Sequence, residues 1–221
     1  MRVIYTFFLL SVLFSCKKKI VDIGSQPNAP ISVKDSFYFK AKLNGTDILW
    51  VVPAHKNETS FTYHAGASVG YTDLSNNCSE GYCYYVNAST QIFRNVADVR
   101  PQIAISFNMA ASSRNKDVVL SWFAPGTKSY PTAIRTTSEL LNPDKNGVVV
   151  YYLDQNGKSW SSNSGSQQGS IFESVSLTDE IRPDVSSDKV WKAAFSCMLY
   201  NNSGSSIKLE YGEICGPVWV R

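Results

Sequence analysis

The chain has 221 residues, of which 43% are hydrophobic and 18% are charged, and its formal net charge is +3. This globular composition excludes a disordered chain, a collagen and a coiled coil, and the charge is too small to indicate a nucleic-acid-binding protein. The length suits one domain, or two small ones at most.

The N-terminus has the pattern of a bacterial export signal. After Met1 and Arg2, residues 3–14 are mainly apolar. A membrane-spanning helix needs about 20 apolar residues, so this shorter run fits the hydrophobic part of a signal peptide. Leu13-Phe14-Ser15-Cys16 resembles a bacterial lipobox. The resemblance implies cleavage before Cys16 and acylation of that residue, with palmitate as the expected chain; the alternative is an ordinary signal peptide with an incidental cysteine.

The residues after the lipobox read as a tether. Three lysines, Lys17, Lys18 and Lys19, follow at once, and such charges are attracted to anionic lipid head groups. Residues 20–35 contain one glycine and two prolines with little periodicity, which is typical of a linker. We therefore predict a signal peptide over 1–15, a lipidated cysteine and flexible tether over 16–35, and a single β-rich domain over 36–221.

The other four cysteines are Cys78, Cys83, Cys197 and Cys215. An even number in an exported protein suggests disulfide bonds. We predict the pairs Cys78–Cys83, within one loop, and Cys197–Cys215, between neighbouring strands. The alternatives are buried free thiols and a zinc site built from all four cysteines. The absence of a C-x2-C knuckle from the sequence argues against zinc.

Alternation of apolar and polar residues with a period of two dominates the rest of the chain, for example at residues 37–43, 102–109 and 191–199. This pattern is typical of antiparallel strands with one buried face. The dipeptides Asn44-Gly45 and Asn156-Gly157 are strong turn signals. We predict an all-β fold, an antiparallel β-sandwich or jelly-roll-like barrel, with at most one short helix at residues 136–141.

Motifs for catalysis are weak. Residues 66–70 match G-x-S-x-G, but a hydrolase of that type places its histidine after the nucleophile, and His55 and His64 both precede Ser68. We therefore interpret this segment as a strand or turn. The two histidines lack a zinc-binding spacing, and the segments around Asp144 and Asp154 read as turns rather than calcium loops. The sequence predicts no catalytic residue, no metal site and no cofactor.

Aromatic residues give the one positive signal for binding. Four tyrosines, Tyr71, Tyr82, Tyr84 and Tyr85, crowd around the loop between Cys78 and Cys83. Tyrosines on such a loop can stack on sugar rings or anchor a protein partner. The alternative is that they pack into the edge of the sandwich.

Several segments together resemble a class of uncharacterised Bacteroidota lipoproteins. These are residues 37–45 with their Asn-Gly turn, followed by Trp50, the segment Ala124-Pro125-Gly126-Thr127-Lys128-Ser129-Tyr130, and a closing hairpin at residues 191–197 and 209–214. The resemblance implies a β-rich exported lipoprotein and transfers no catalytic residue. Surface-exported members often carry acidic residues after the cysteine, whereas this chain has lysines, so either face of the membrane stays open.

These patterns predict a lipid-anchored protein of the cell envelope, in the outer membrane, that acts as a non-enzymatic binding module for glycan or protein. The expected partners are the membrane, through the lipid anchor, and a glycan or an envelope protein; nucleic acid is not expected. One alternative is a structural or envelope-assembly component without a small ligand. A glycan-active hydrolase, which needs a pair of carboxylates, is the less favoured alternative.

Overall fold

The structure, a computed structural model, describes residues 37–52, 63–74, 78, 81–94, 101–131, 137–179 and 189–219. The predicted signal peptide, the predicted lipidation site Cys16 and the predicted tether lie outside the described residues, as does His55. No helix within these ranges is long and apolar enough to cross a membrane.

Strands make up most of the described chain. They are β1 (Phe37–Leu43), β2 (Thr46–Val52), β3 (Tyr63–Asp73), β4 (Tyr84–Arg94), β5 (Gln102–Ala111), β6 (Gly126–Thr127), β7 (Gly147–Leu153), β8 (Ser159–Ser161), β9 (Ile171–Asp179), β10 (Lys189–Tyr200) and β11 (Ser206–Val218). The described residues also contain one α-helix, α1 (Lys116–Phe123), and 3-10 helices at Thr137–Leu141, Pro143–Lys145 and Ser162–Ser164. The predicted all-β class is confirmed.

All eleven strands belong to one antiparallel sheet that curls into a half-barrel. Its hydrogen-bonded order is β2-β1-β11-β10-β8-β7-β5-β4-β3, and β9 pairs with β10 and β6. The curl brings β4 against β11 across the interior, where a Cβ atom at Gly216 would lie 2.4 Å from Thr90 Oγ1. The two end strands meet at one point, where Trp50 of β2 stacks on Tyr63 of β3.

The alternation seen in the sequence sets the inner face of the sheet. Along β10 the side chains of Trp191, Ala193, Phe195, Cys197 and Leu199 are buried, while those between them are partly exposed. At the β1–β2 turn, Asn44 and Gly45 have φ angles of 45° and 80°, the left-handed backbone that an Asn-Gly hairpin requires. The alternation of buried residues and the residues of the turn therefore favour the same strand register.

The helix prediction was misplaced. Residues 137–141 form a 3-10 helix rather than an α-helix, and Thr136 lies outside the described residues. The α-helix is α1, whose N-cap Asn115 accepts a hydrogen bond from the backbone N–H of Asp117 at 2.8 Å. It buries Val119 and Phe123, the i and i+4 positions of one face. A helix of two turns with one short apolar stripe has a weak hydrophobic period. In the sequence, this period cannot be distinguished from strand alternation.

One predicted disulfide is confirmed and the other is wrong. Cys78 and Cys83 are bonded, with their Cα atoms 4.5 Å apart. Cys197 and Cys215 are buried and not disulfide-bonded. The hairpin register pairs Cys215 with Lys192, five residues along β10 from Cys197, or about 16 Å of strand, whereas a disulfide needs Cα atoms within about 7 Å. Burial raises the pKa of the Cys197 thiol to about 12.

Removal of the confirmed disulfide gives a testable stability change. The Cys78→Ala/Cys83→Ala double variant is expected to lose about 2 kcal/mol of unfolding free energy, because closing this short loop removes chain entropy from the unfolded state. Urea denaturation of the full-length protein measures the change. Wild type treated with reductant should show the same loss and the double variant no further loss; equal stability of all samples would contradict the assignment.

Candidate functional site

The four predicted tyrosines do not share a surface. Tyr84, the first residue of β4, faces the interior with Val86, and Tyr71 pairs with Val86 in the β3–β4 register and so shares that face. Both tyrosines pack against the hydrophobic core. Arg114 covers the Tyr84 ring at 5.0 Å from its centroid, so this half-buried ring is partly covered by protein.

The other two tyrosines lie elsewhere at this end of the sheet. Tyr85 follows Tyr84 and therefore faces outward; it is half-buried, and burial raises the pKa of its hydroxyl. Tyr82 is half-buried next to the disulfide-bonded Cys83. A binding role for the four stays a prediction, and they do not form a common platform.

The weak catalytic and metal motifs lie in strands and turns. Ser68 is in the middle of the eleven-residue strand β3, with its hydroxyl 2.8 Å from that of Ser89, and not at a strand-to-helix turn. Asp144 is in a 3-10 helix. The ring of His64 stacks on Phe93 at 5.5 Å. The strand interpretation of residues 66–70 and the turn interpretation at Asp154 are thus confirmed, whereas Asp144 lies in a 3-10 helix and not in the predicted hairpin turn.

A small pocket opens at the other end of β3 and β4, about 33 Å of strand away from the disulfide. Its volume is about 90 Å³. It lies where β3 begins, β4 ends and the turn after β7 starts, with β2 facing them. Seven residues line it: Ile48, Trp50, Tyr63, Arg94, Pro101, Tyr152 and Gln155. Ligand sites are common in the mouths of β-barrels, which makes this pocket the candidate site.

Three aromatic rings from three strands form one wall of the pocket. Trp50 stacks on Tyr63 with centroids 5.6 Å apart and on Tyr152 at 6.2 Å, and it contacts Phe39 edge-on at 5.5 Å. Trp50 and Tyr152 are each only 8% exposed. The wall is therefore held by core packing and offers a fixed apolar surface.

Arg94 supplies the charge of the site. It is the last residue of β4, and its backbone N–H donates to the Pro101 carbonyl at 2.8 Å, which holds the strand end in place. Its side chain is half-buried, and its Nε atom is buried without a hydrogen-bond partner. No carboxylate of the described residues forms an ion pair with it. The guanidinium is thus a positive charge without a counter-ion in the described part of the chain.

The nearby carboxylate of Asp154 is committed to its own turn. Its Oδ1 atom accepts from the backbone N–H groups of Asn156 and Lys158, both at 2.9 Å. Its Oδ2 atom accepts from the Trp160 indole at 3.3 Å. Asp154 therefore fixes the turn at the rim of the pocket and forms no ion pair with Arg94.

Two phenol groups complete the polar side of the pocket. Burial raises the pKa of Tyr63, although Arg94 acts in the opposite direction. Burial also raises the pKa of Tyr152 to about 12, and Asp154 and Tyr63 add to the shift. Both hydroxyls are therefore protonated at neutral pH and available as donors, and neither forms a hydrogen bond to a described residue.

Sequence reasoning missed this site, with one usable signal. Trp50 entered only through the family resemblance, and Tyr63, Arg94 and Tyr152 were not singled out. Inward positions of β4 are Val86, Ala88, Thr90 and Ile92, and continuing this alternation brings Arg94 to the same face. A charged residue at an inward position is costly unless it has a function or a partner, so it marks a site.

The comparisons with known proteins give no further guidance. No protein-family model matches the chain, and no curated protein or solved structure matches it either. The function is therefore argued from the chemistry of the pocket itself.

Proposed function

We propose that the chain is an exported lipoprotein, anchored in the outer membrane through acylated Cys16, whose β-domain is a non-enzymatic binding module for glycans. The N-terminal signal, the lipobox and the resemblance to Bacteroidota lipoproteins support the anchor. The pocket, about one strand length from the disulfide loop, supports the binding role.

The observation that carries the proposal is an arginine with no counter-ion among the described residues, beside a wall of three aromatic rings. Aromatic surface packs well against the apolar C–H face of a sugar, and convergent donors contact its oxygen atoms. Arg94, Tyr63 and Tyr152 supply those donors, and the partly exposed ring of Tyr63, held by Trp50, supplies the apolar surface. The rings are fixed before a ligand arrives, so little ordering entropy is lost on binding.

The size of the pocket limits what enters it. One ordered water needs about 10–15 Å³ of such space, so a pocket of about 90 Å³ has room for a small group. A whole sugar residue is larger than this. The module therefore binds one substituent or one end of a glycan. The rest of the glycan lies outside the pocket, along the rim formed by Gln155.

A blocking variant tests the proposal. Gln155 is exposed and lines the pocket, so Gln155→Trp is expected to fill the mouth and abolish binding without disturbing the core. Asn156→Trp, at the next exposed position of the same turn, is the matched control and should bind as wild type. The measurement is binding of the full-length protein in detergent to a panel of neutral, amino-sugar and acidic oligosaccharides.

Binding by wild type and Asn156→Trp but not by Gln155→Trp supports the proposal. Equal binding by all three proteins places the glycan site elsewhere, and absence of any glycan binding contradicts the module itself.

A further inference from the structure

We propose that the group which enters the pocket is the carboxylate of an acidic sugar, a uronic acid residue; this inference rests on the proposed glycan-binding function. The pocket has three features that together favour an anionic ligand. They are a guanidinium without a counter-ion among the described residues, two phenol donors without an acceptor among those same residues, and an aromatic wall beside a small volume.

The first step is the balance of donors and acceptors. Arg94 provides N–H donors, and one of its buried nitrogen atoms has no acceptor. Tyr63 and Tyr152 are protonated phenols whose hydroxyls form no hydrogen bond within the described residues. Buried donors without acceptors cost free energy, and a carboxylate, which only accepts, satisfies several of them at once.

The second step is charge. Arg114, at the other end of the same strands, lies 2.7 Å from Asp73 and covers Tyr84, so its charge is neutralised within the fold. Arg94 is half-buried and has no such partner in the described chain. The desolvation of an unpaired charge is compensated when an anionic ligand completes the pair, and the planar guanidinium matches a carboxylate in a two-point contact.

The third step is shape. A carboxylate is planar and has only three heavy atoms, which suits a pocket of about 90 Å³. In a uronic acid the carboxylate is bonded directly to the sugar ring, so its entry brings the ring edge against the aromatic wall at Trp50 and Tyr63. A carboxylate without a ring uses the arginine and leaves the aromatic surface empty.

The test uses charged and neutral ligands that share the sugar ring and differ in the group at C6. The probes are the methyl glycosides of glucuronate and galacturonate, the methyl esters of both, and the neutral methyl glucoside and galactoside. Saturation-transfer NMR titrations of the full-length protein in detergent give the affinities. Wild type is expected to bind a uronate about ten-fold or more tightly than its ester and its neutral partner, the size of one charge-assisted hydrogen bond.

Protein variants assign the difference to one residue. Arg94→Met should bind the uronate and its ester equally, whereas Arg114→Met, the matched loss of an arginine at the other end, should keep the preference. The comparison of acid with ester in wild type needs no variant, so it decides the question even if Arg94→Met fails to fold.

The outcomes separate the two proposals. Equal affinity for acidic and neutral glycosides overturns the carboxylate inference and leaves a glycan module. Acetate or a peptide with a free C-terminus that competes as strongly as the uronate keeps the anion site but overturns its assignment to a sugar. Failure of every sugar to bind contradicts both.

Discussion

Replacing Trp191 by alanine is expected to lower the free energy of unfolding by about 3–5 kcal/mol, the range for deleting a large buried ring. Trp191 is 0% exposed. Its indole lies at the centre of an aromatic cluster that joins α1 to three strands, with centroids 5.2–6.0 Å from those of Phe107, Phe123 and Phe172. Removing the ring leaves a cavity that these neighbours cannot fill.

The loss also breaks a hydrogen-bonded link. The Trp191 indole donates to Ser174 Oγ at 2.7 Å, and this buried hydroxyl donates in turn to the Phe123 carbonyl at 2.5 Å. Thermal and urea denaturation of the full-length protein measure the effect. Trp219→Ala is the control, since that ring is 37% exposed and should cost far less. Equal losses at the two positions would contradict the cluster as the centre of the core.

The second large effect is expected at Gly216, where β11 packs against β4 across the interior. A Cβ atom there would lie 2.4 Å from Thr90 Oγ1 but 3.6 Å from Thr90 Cβ, so the hydroxyl is the obstacle. Gly216→Val is expected to destabilise the protein by about 3 kcal/mol through overpacking. Thr90→Ala removes the obstructing atom, which is itself buried without a hydrogen-bond partner.

The double variant Gly216→Val/Thr90→Ala should therefore recover at least half of the lost stability. A double-mutant cycle of urea denaturation measures this coupling. Because the two residues are far apart in sequence, strong coupling supports the packing of β4 against β11. Additive losses would show that these strands do not meet across the interior.

Much of the fold could be predicted because strand alternation is a local signal. The period of two along β10, and the Asn44-Gly45 turn with its positive φ angles, specify buried faces and a hairpin without knowledge of the tertiary structure. Pairings across the chain are not local. The Cys197–Cys215 prediction failed because it relied only on the two cysteines being on neighbouring strands. The register of the strands decides which residues lie opposite each other.

The candidate site was harder to predict, because its residues come from separate strands. Trp50, Tyr63, Arg94 and Tyr152 become neighbours only when the sheet curls, and each of them taken alone reads as an ordinary core or strand residue. The tyrosines near Cys83 were conspicuous because they are close in sequence. Their positions on alternate faces of β4 separate them, as the period of two requires. Arg94, a charge at an inward position, was the one local signal.

The central claim, that a glycan group enters the pocket beside Trp50, is tested most directly by NMR. The protein has five tryptophans, and each gives one indole N–H signal in a ¹H–¹⁵N spectrum. We expect the Trp50 signal to shift progressively when the full-length protein is titrated with the methyl glycoside of galacturonate or glucuronate. The Trp191 signal should stay fixed. A Trp50 signal that stays unchanged at saturating ligand would contradict glycan binding in this pocket.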